Sequence, residues 1–166
     1  MDFSLTDEQL DLQRMVRDFC LRECPRADVQ RWDEELVFPR DIWDRLGELG
    51  IYGLPFPEQY GGSGGSILDE ALVVEELARG ANPIANLFIA TVSFGGYSIL
   101  MSGTEEQKAR LLPRIATGEL PMALALTEPG ATNFLLKSTA PICPPPAYVN
   151  GAVGGTWKPN MPRIGL

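Results

Sequence analysis

Met122-Ala123-Leu124-Ala125-Leu126-Thr127-Glu128-Pro129-Gly130-Ala131 marks a change of texture in the chain. Its first six residues form a short apolar run closed by a hydroxyl, and Pro129-Gly130 is a turn signal, so the stretch predicts a strand that ends in a turn. Upstream of it the apolar residues recur at helical spacing. Helices first and strands afterwards predict an all-α domain handing over to a β domain. The expected fold class is therefore mainly α. A helical N-terminal domain covers residues 1–121, and residues 122–166 are the start of an incomplete β domain with an irregular or partly disordered tail.

Working upstream, Thr6-Asp7-Glu8-Gln9 is a capping box, with Leu5 placed as a staple residue. Leu12, Met15, Val16, Phe19 and Cys20 share one helical face, and the helix is expected to end near Cys24-Pro25. Pro25 starts a second, more polar helix through Arg31, with Trp32 available to pack it down. Pro39 opens a third in the first helical position, its stripe formed by Ile42, Trp43, Leu46 and Leu49, with Gly50 as the left-handed residue beyond its end. Residues 52–66 read as a loop because of their prolines and glycines. Leu68, Leu72, Glu75, Glu76 and Leu77 follow in a helix to Arg79.

Residues 80–104 carry no charge, and Asn82, Pro83, Asn86, Thr91, Ser93, Gly95, Gly96 and Ser98 interrupt the apolar run. That favours a buried central helix over a membrane span, which wants about 20 mostly apolar residues. Thr104-Glu105-Glu106-Gln107 is a second capping box, heading a short helix through Leu112. Pro113 is expected to start another turn, closed by Gly118.

Composition narrows the function. The 166 residues carry a net charge of −8, no histidine and three cysteines. Without histidine the chain offers no Ser-His-Asp or Cys-His catalysis and lacks the commonest metal ligand. The acidic balance argues against nucleic acid, which needs clustered Lys and Arg. Scattered cysteines suit a reducing compartment, and Asp2, Asp7 and Glu8 are unlike the basic start of a secretory leader, so a cytoplasmic location is expected. Every Asp and Glu lies at or before Glu128; beyond it the only charges are Lys137, Lys158 and Arg163, while Pro141, Pro144, Pro145, Pro146, Pro159 and Pro162 crowd the end.

Most local motifs have a plain reading. Gly61-Gly62-Ser63-Gly64-Gly65 fits G-x-S-x-G but lacks the preceding strand and any histidine, so it reads as an interhelical loop. Cys20 and Cys24, one helical turn apart, lack further ligands for a metal and read as core or semi-buried thiols. Asp33-Glu34-Glu35 reads as a solvated loop. No carboxylate is singled out as catalytic. The turn after Thr127 is different, since backbone N–H groups and a hydroxyl meet at a strand end and can cradle a polar cofactor group, although a purely structural turn fits the same residues.

The ordered set Met1 to Gln9, Phe38-Pro39-Arg40, Leu46 to Ile51, Pro57-Glu58-Gln59-Tyr60-Gly61-Gly62, Ala71 to Ala78, Gly103 to Lys108 and Leu126 to Ala131 resembles the N-terminal part of the acyl-CoA dehydrogenases. The resemblance implies a flavoenzyme with helical, β and four-helix domains, in which FAD and an acyl-CoA thioester meet. It further implies α,β-dehydrogenation, in which a carboxylate takes the α-proton and the flavin takes the hydride. It implies that Leu124, Leu126, Thr127, Gly130 and Ala131 form a flavin edge. Phe94 and Tyr97 either border the acyl pocket or pack in the core. Homo-oligomers are implied, assembled mainly through the C-terminal domain.

The likeness then breaks. Thr132-Asn133-Phe134 stands where the family continues Gly-Ser-Asp, and only echoes follow: Lys137-Ser138-Thr139-Ala140, Tyr148-Val149-Asn150-Gly151 and Trp157. This reads as a damaged or frame-shifted start of the β domain. The expectation is a fragment inactive by itself. The alternative is a non-catalytic helical interaction module, whose apolar faces would bind partners.

Overall fold

The computed structural model describes residues 4–123. Six α-helices carry the fold: α1 (Asp7–Glu23), α2 (Arg26–Glu34), α3 (Arg40–Glu48), α4 (Ile67–Phe88), α5 (Tyr97–Ser102) and α6 (Glu105–Ala116). A π-helical segment, Ile89–Gly96, joins α4 to α5. Two 3-10 turns, Ile51–Gly53 and Glu58–Tyr60, lie between α3 and α4. Among the described residues there is no strand.

Capping starts α1 and ties it to α4. The Thr6 hydroxyl accepts from the Gln9 N–H at 3.2 Å, and the Thr6 N–H donates to Gln9 Oε1 at 3.1 Å. Ser66 and Asp69 form a similar box at the head of α4, and the Gln9 amide donates to Asp69 Oδ1 at 2.9 Å. The two helix starts are thus held together by their own caps. Further along, a Cβ on Gly80 would stand 2.5 Å from Cys20 Cβ. Glycine is required where α1 and α4 cross so closely. Val16, Phe19 and Cys20 are buried there, while Met15 is 37% exposed and leaves the expected face.

The core collects around Trp43. Its indole stacks on Tyr52 with centroids 4.2 Å apart. The indole N–H donates to the Gly118 carbonyl at 2.8 Å, and the Tyr52 hydroxyl donates to the Trp43 carbonyl at 2.9 Å. Leu46, Phe56, Phe88, Leu112 and Ile115 close it. At the far end Tyr60 donates to Glu105 at 3.0 Å, anchoring the Pro57–Gly62 loop to the first turn of α6. Lys108 and Tyr60 together hold the Glu105 carboxyl below its ordinary range.

Several boundaries differ from expectation. α2 continues to Glu34 and takes in part of the predicted acidic loop, whose side chains remain exposed. Leu49 ends α3 and is 40% exposed. Pro113 opens no new turn: α6 runs through it to Ala116. Burial of Leu111, Leu112, Ile115 and Ala116 on one face outweighs the hydrogen bond that proline forgoes.

The uncharged run is not one buried helix. α4 kinks at Ala81 (φ −152°, ψ 71°), two residues before Pro83, consistent with proline restricting the residues ahead of it. Ile84, Ala85, Phe88 and Val92 are buried, whereas Phe94 is 48% and Met101 77% exposed. By length and composition alone the helical run Ile67–Ser102 could cross a membrane, but one of its faces is spent on the protein core. Met122 and Ala123 are irregular, and the rest of the expected strand and β domain lies outside the described residues.

Candidate functional site

The expected flavin edge, Leu124, Leu126, Thr127, Gly130 and Ala131, lies outside the described residues. The wall from which that segment departs is described. The Met122 N–H donates to Thr91 Oγ1 at 3.0 Å, and Thr91 is fully buried. A Cβ on Gly95 would meet the Met122 side chain at 2.8 Å. One face of the π-helical segment therefore fixes where residue 122 leaves the helical unit. π-helix is rare, and where it interrupts an α-helix it is frequently found at functional sites.

Behind that face lies a carboxylate. Glu70, in the first turn of α4, is 3% exposed. The Ser93 hydroxyl donates to its Oε1. Its Oε2 is buried and has no hydrogen-bond partner. The Tyr97 phenol stands beside it and is held above its ordinary pKa, by burial first, then by the Glu70 charge and by hydrogen bonding to that carboxylate. The Tyr97 ring meets Phe56 edge-on at 6.4 Å. Of the two aromatic candidates, Phe94 is thus open to solvent, while Tyr97 is half-buried and belongs to both the core and this cluster.

Sequence reasoning passed over Glu70, although a signal was present. Val73 and Leu77 are fully buried, and a residue three before the first of them falls on the same helical face. A charged residue at a core position of an apolar stripe is the mark to seek. Ser66 caps α4 and sets its register, where the sequence predicts only the end of a loop.

Other groups are satisfied. Glu76, 1% exposed, takes two bonds from the Arg17 guanidinium at 2.6 and 2.9 Å, and these hold its carboxyl below the usual range. Cys20 and Cys24 are buried core thiols, and the Cys20 S–H is directed to the Glu76 carbonyl at 3.9 Å. A shallow surface groove of about 420 Å³ runs past Arg40, Asp44 and Glu119. Arg40 is paired there with Asp44, so the groove offers no convergent free groups.

The family profile described as "Acyl-CoA dehydrogenase, N-terminal domain" matches residues 6–119. The probable acyl-CoA dehydrogenase YngJ of Bacillus subtilis is 41% identical over 132 residues, covering 79% of this chain and 34% of that protein. A short-chain specific acyl-CoA dehydrogenase of Clostridium acetobutylicum is 38% identical over 167 residues, covering 95% of this chain and 44% of the relative. Butyryl-CoA dehydrogenase from Megasphaera elsdenii has a similar structure, with TM-score 0.72 and 38% identity over 79% of this chain and 35% of its own. The chain spans between a third and a half of the length of these curated relatives.

Proposed function

Because this chain belongs to the acyl-CoA dehydrogenase family, we propose that it supplies the helical wall of a flavin-dependent oxidoreductase that desaturates acyl-CoA thioesters between the α and β carbons. The observation that carries this reading is the hold of Thr91 and Gly95 on Met122, at the head of the segment most like the family's flavin edge.

The described residues fit a flavin in one respect. Gly95 lets the backbone approach the Met122 side chain, which fills the space a Cβ would take and fixes the chain just before the residues that resemble the family's flavin edge. Leu124, Leu126, Thr127, Gly130 and Ala131 would hold the cofactor's edge. FAD, when bound, supplies the hydride acceptor. The helical residues Thr91 and Gly95 hold Met122.

No carboxylate among the described residues is placed as the base, and the chain by itself is proposed to be inactive. The purified 166-residue chain is expected to hold little FAD and to leave the flavin spectrum unchanged on addition of butanoyl-CoA. Stoichiometric FAD that bleaches with the thioester would overturn this. Homo-oligomerisation and a cytoplasmic site of action are proposed with it. Light scattering tests the first, and a stable oligomer without flavin would favour the helical interaction module, to which the exposed Leu21, Ile67 and Met101 lend support.

A further inference from the structure

We propose that Glu70, with Ser93 and Tyr97, is a specificity site that accepts the ammonium group of an amino-substituted acyl chain. The inference rests on the acyl-thioester reading above and names a substrate class within it.

A carboxylate can accept about four hydrogen bonds. Glu70 is buried at 3% exposure, and its Oε2 has none. No cation pairs with it among the described residues. Buried polar groups left in this state are uncommon and call for a completing partner. Glu76, on the same helix and equally buried, shows the satisfied arrangement with its bidentate arginine. The missing complement at Glu70 is therefore a donor, and the uncompensated charge favours a cationic one over a neutral hydroxyl.

Position supports a ligand as the source. Ser93 and Tyr97, both half-buried, roof the carboxylate, so it lies one side chain below the surface. Ser93 sits between Thr91 and Gly95, the two residues that hold Met122 at the head of the cofactor-like segment. A rotation of the Tyr97 side chain would open Oε2 to an acyl chain lying along the π-helical segment.

Butanoyl-CoA and β-alanyl-CoA test this, because they differ only by a terminal methyl in place of an ammonium. Calorimetric titration of the 166-residue chain should show β-alanyl-CoA binding at least about tenfold more tightly. Glu70→Gln, close in shape and checked for folding by circular dichroism, should remove that preference, and Glu70→Leu should reverse it. In chain labelled with [ζ-13C]tyrosine, the Tyr97 resonance, assigned with Tyr97→Phe, should move with β-alanyl-CoA and not with butanoyl-CoA. Equal affinities, or a preference that survives Glu70→Gln, would overturn the proposal while leaving the thioester reading intact. Binding of neither thioester by the chain would also overturn the proposal, and the thioester reading would then stand on its own flavin test.

Discussion

Gly96 tests the packing that supports the candidate site. A Cβ there would stand 2.3 Å from Phe56 Cζ and 2.9 Å from Cε1, and Phe56 is fully buried. Two effects oppose each other in Gly96→Ala. Alanine gains about 1 kcal/mol over glycine inside a helix. Against that, carbon atoms prefer a separation of about 3.5–4.0 Å, so the ring must move by more than an ångström within a filled core. Overpacking of this kind costs about 1–3 kcal/mol, and the Tyr97 ring on Phe56's flank puts the value near the top of that range. The net expectation is a loss of about 1–2 kcal/mol. Phe56→Leu removes the overlapping ring atoms and alone should cost about 1–2 kcal/mol through the space it leaves. The double variant should be more stable than the sum of the two by at least about 1 kcal/mol, since the residues touch. Urea denaturation followed by far-ultraviolet circular dichroism measures all four proteins, with unchanged slopes as the control. A Gly96→Ala protein as stable as the parent, or a cycle that adds up, would refute the placement of the ring against the π-helical segment.

Leu36 follows the end of α2 with φ 54° and is 91% exposed, while the Val37 N–H reaches back to the Trp32 carbonyl at 3.0 Å. This is a glycine position, so Leu36→Gly should raise the urea midpoint, by about 1 kcal/mol in stability. Trp43→Phe deletes the indole donor to Gly118 and part of the stack on Tyr52, and should cost about 2–3 kcal/mol; an unchanged midpoint would contradict the assigned bond. Asp69 is held below its ordinary pKa: burial pushes it up, but the Ser66 N–H and hydroxyl and the Gln9 amide outweigh that, while Glu76 is lowered by Arg17. The unfolded chain therefore binds more protons than the folded one as pH falls. Their stabilisation is complete above the ordinary carboxyl range of about 4 and is lost as pH drops through the folded values. The midpoint should be flat from pH 7 to about 5 and fall below it, and Arg17→Met should flatten that fall.

What the sequence revealed follows a physical division. Thr6 and Thr104 announce their helices because a capping box is a local bond between residues three apart, and both boxes form as expected. Gly50 adopts φ 73° beyond α3 for an equally local reason. Pro113 misleads because its cost is local, whereas the burial of Leu112 and Ile115 that overrides it is tertiary. Leu36 stands where glycine is expected, and no local rule predicts it. The π-helical register of residues 89–96 is invisible in the same way: it depends on how Gly96 meets Phe56 and how Gly95 meets Met122, contacts between residues far apart in the chain. The family likeness through Ala131 is legible from short motifs in order, and those motifs point to a flavin edge outside the described residues, not to the buried Glu70 carboxylate.

Glu70 and Glu76 make the last distinction. They lie six residues apart on α4, both under 4% exposed. From sequence they are equivalent: acidic residues among leucines and valines. Glu76 is matched by Arg17 from α1, so its burial is explained by the contact of two helices. Were Glu70 serving the same end, its partner would also have to come from a neighbouring helix, and the groups nearest it are a serine hydroxyl and a phenol, neither of which carries compensating charge. A carboxylate kept for the fold would lose stability on replacement by leucine, whereas a buried charge without a compensating partner is replaced by an apolar side chain with no loss or a gain. If Glu70→Leu raises the urea midpoint while reversing the preference for an amino-substituted thioester, stability and recognition are opposed at this one residue, as expected of a group kept for its ligand.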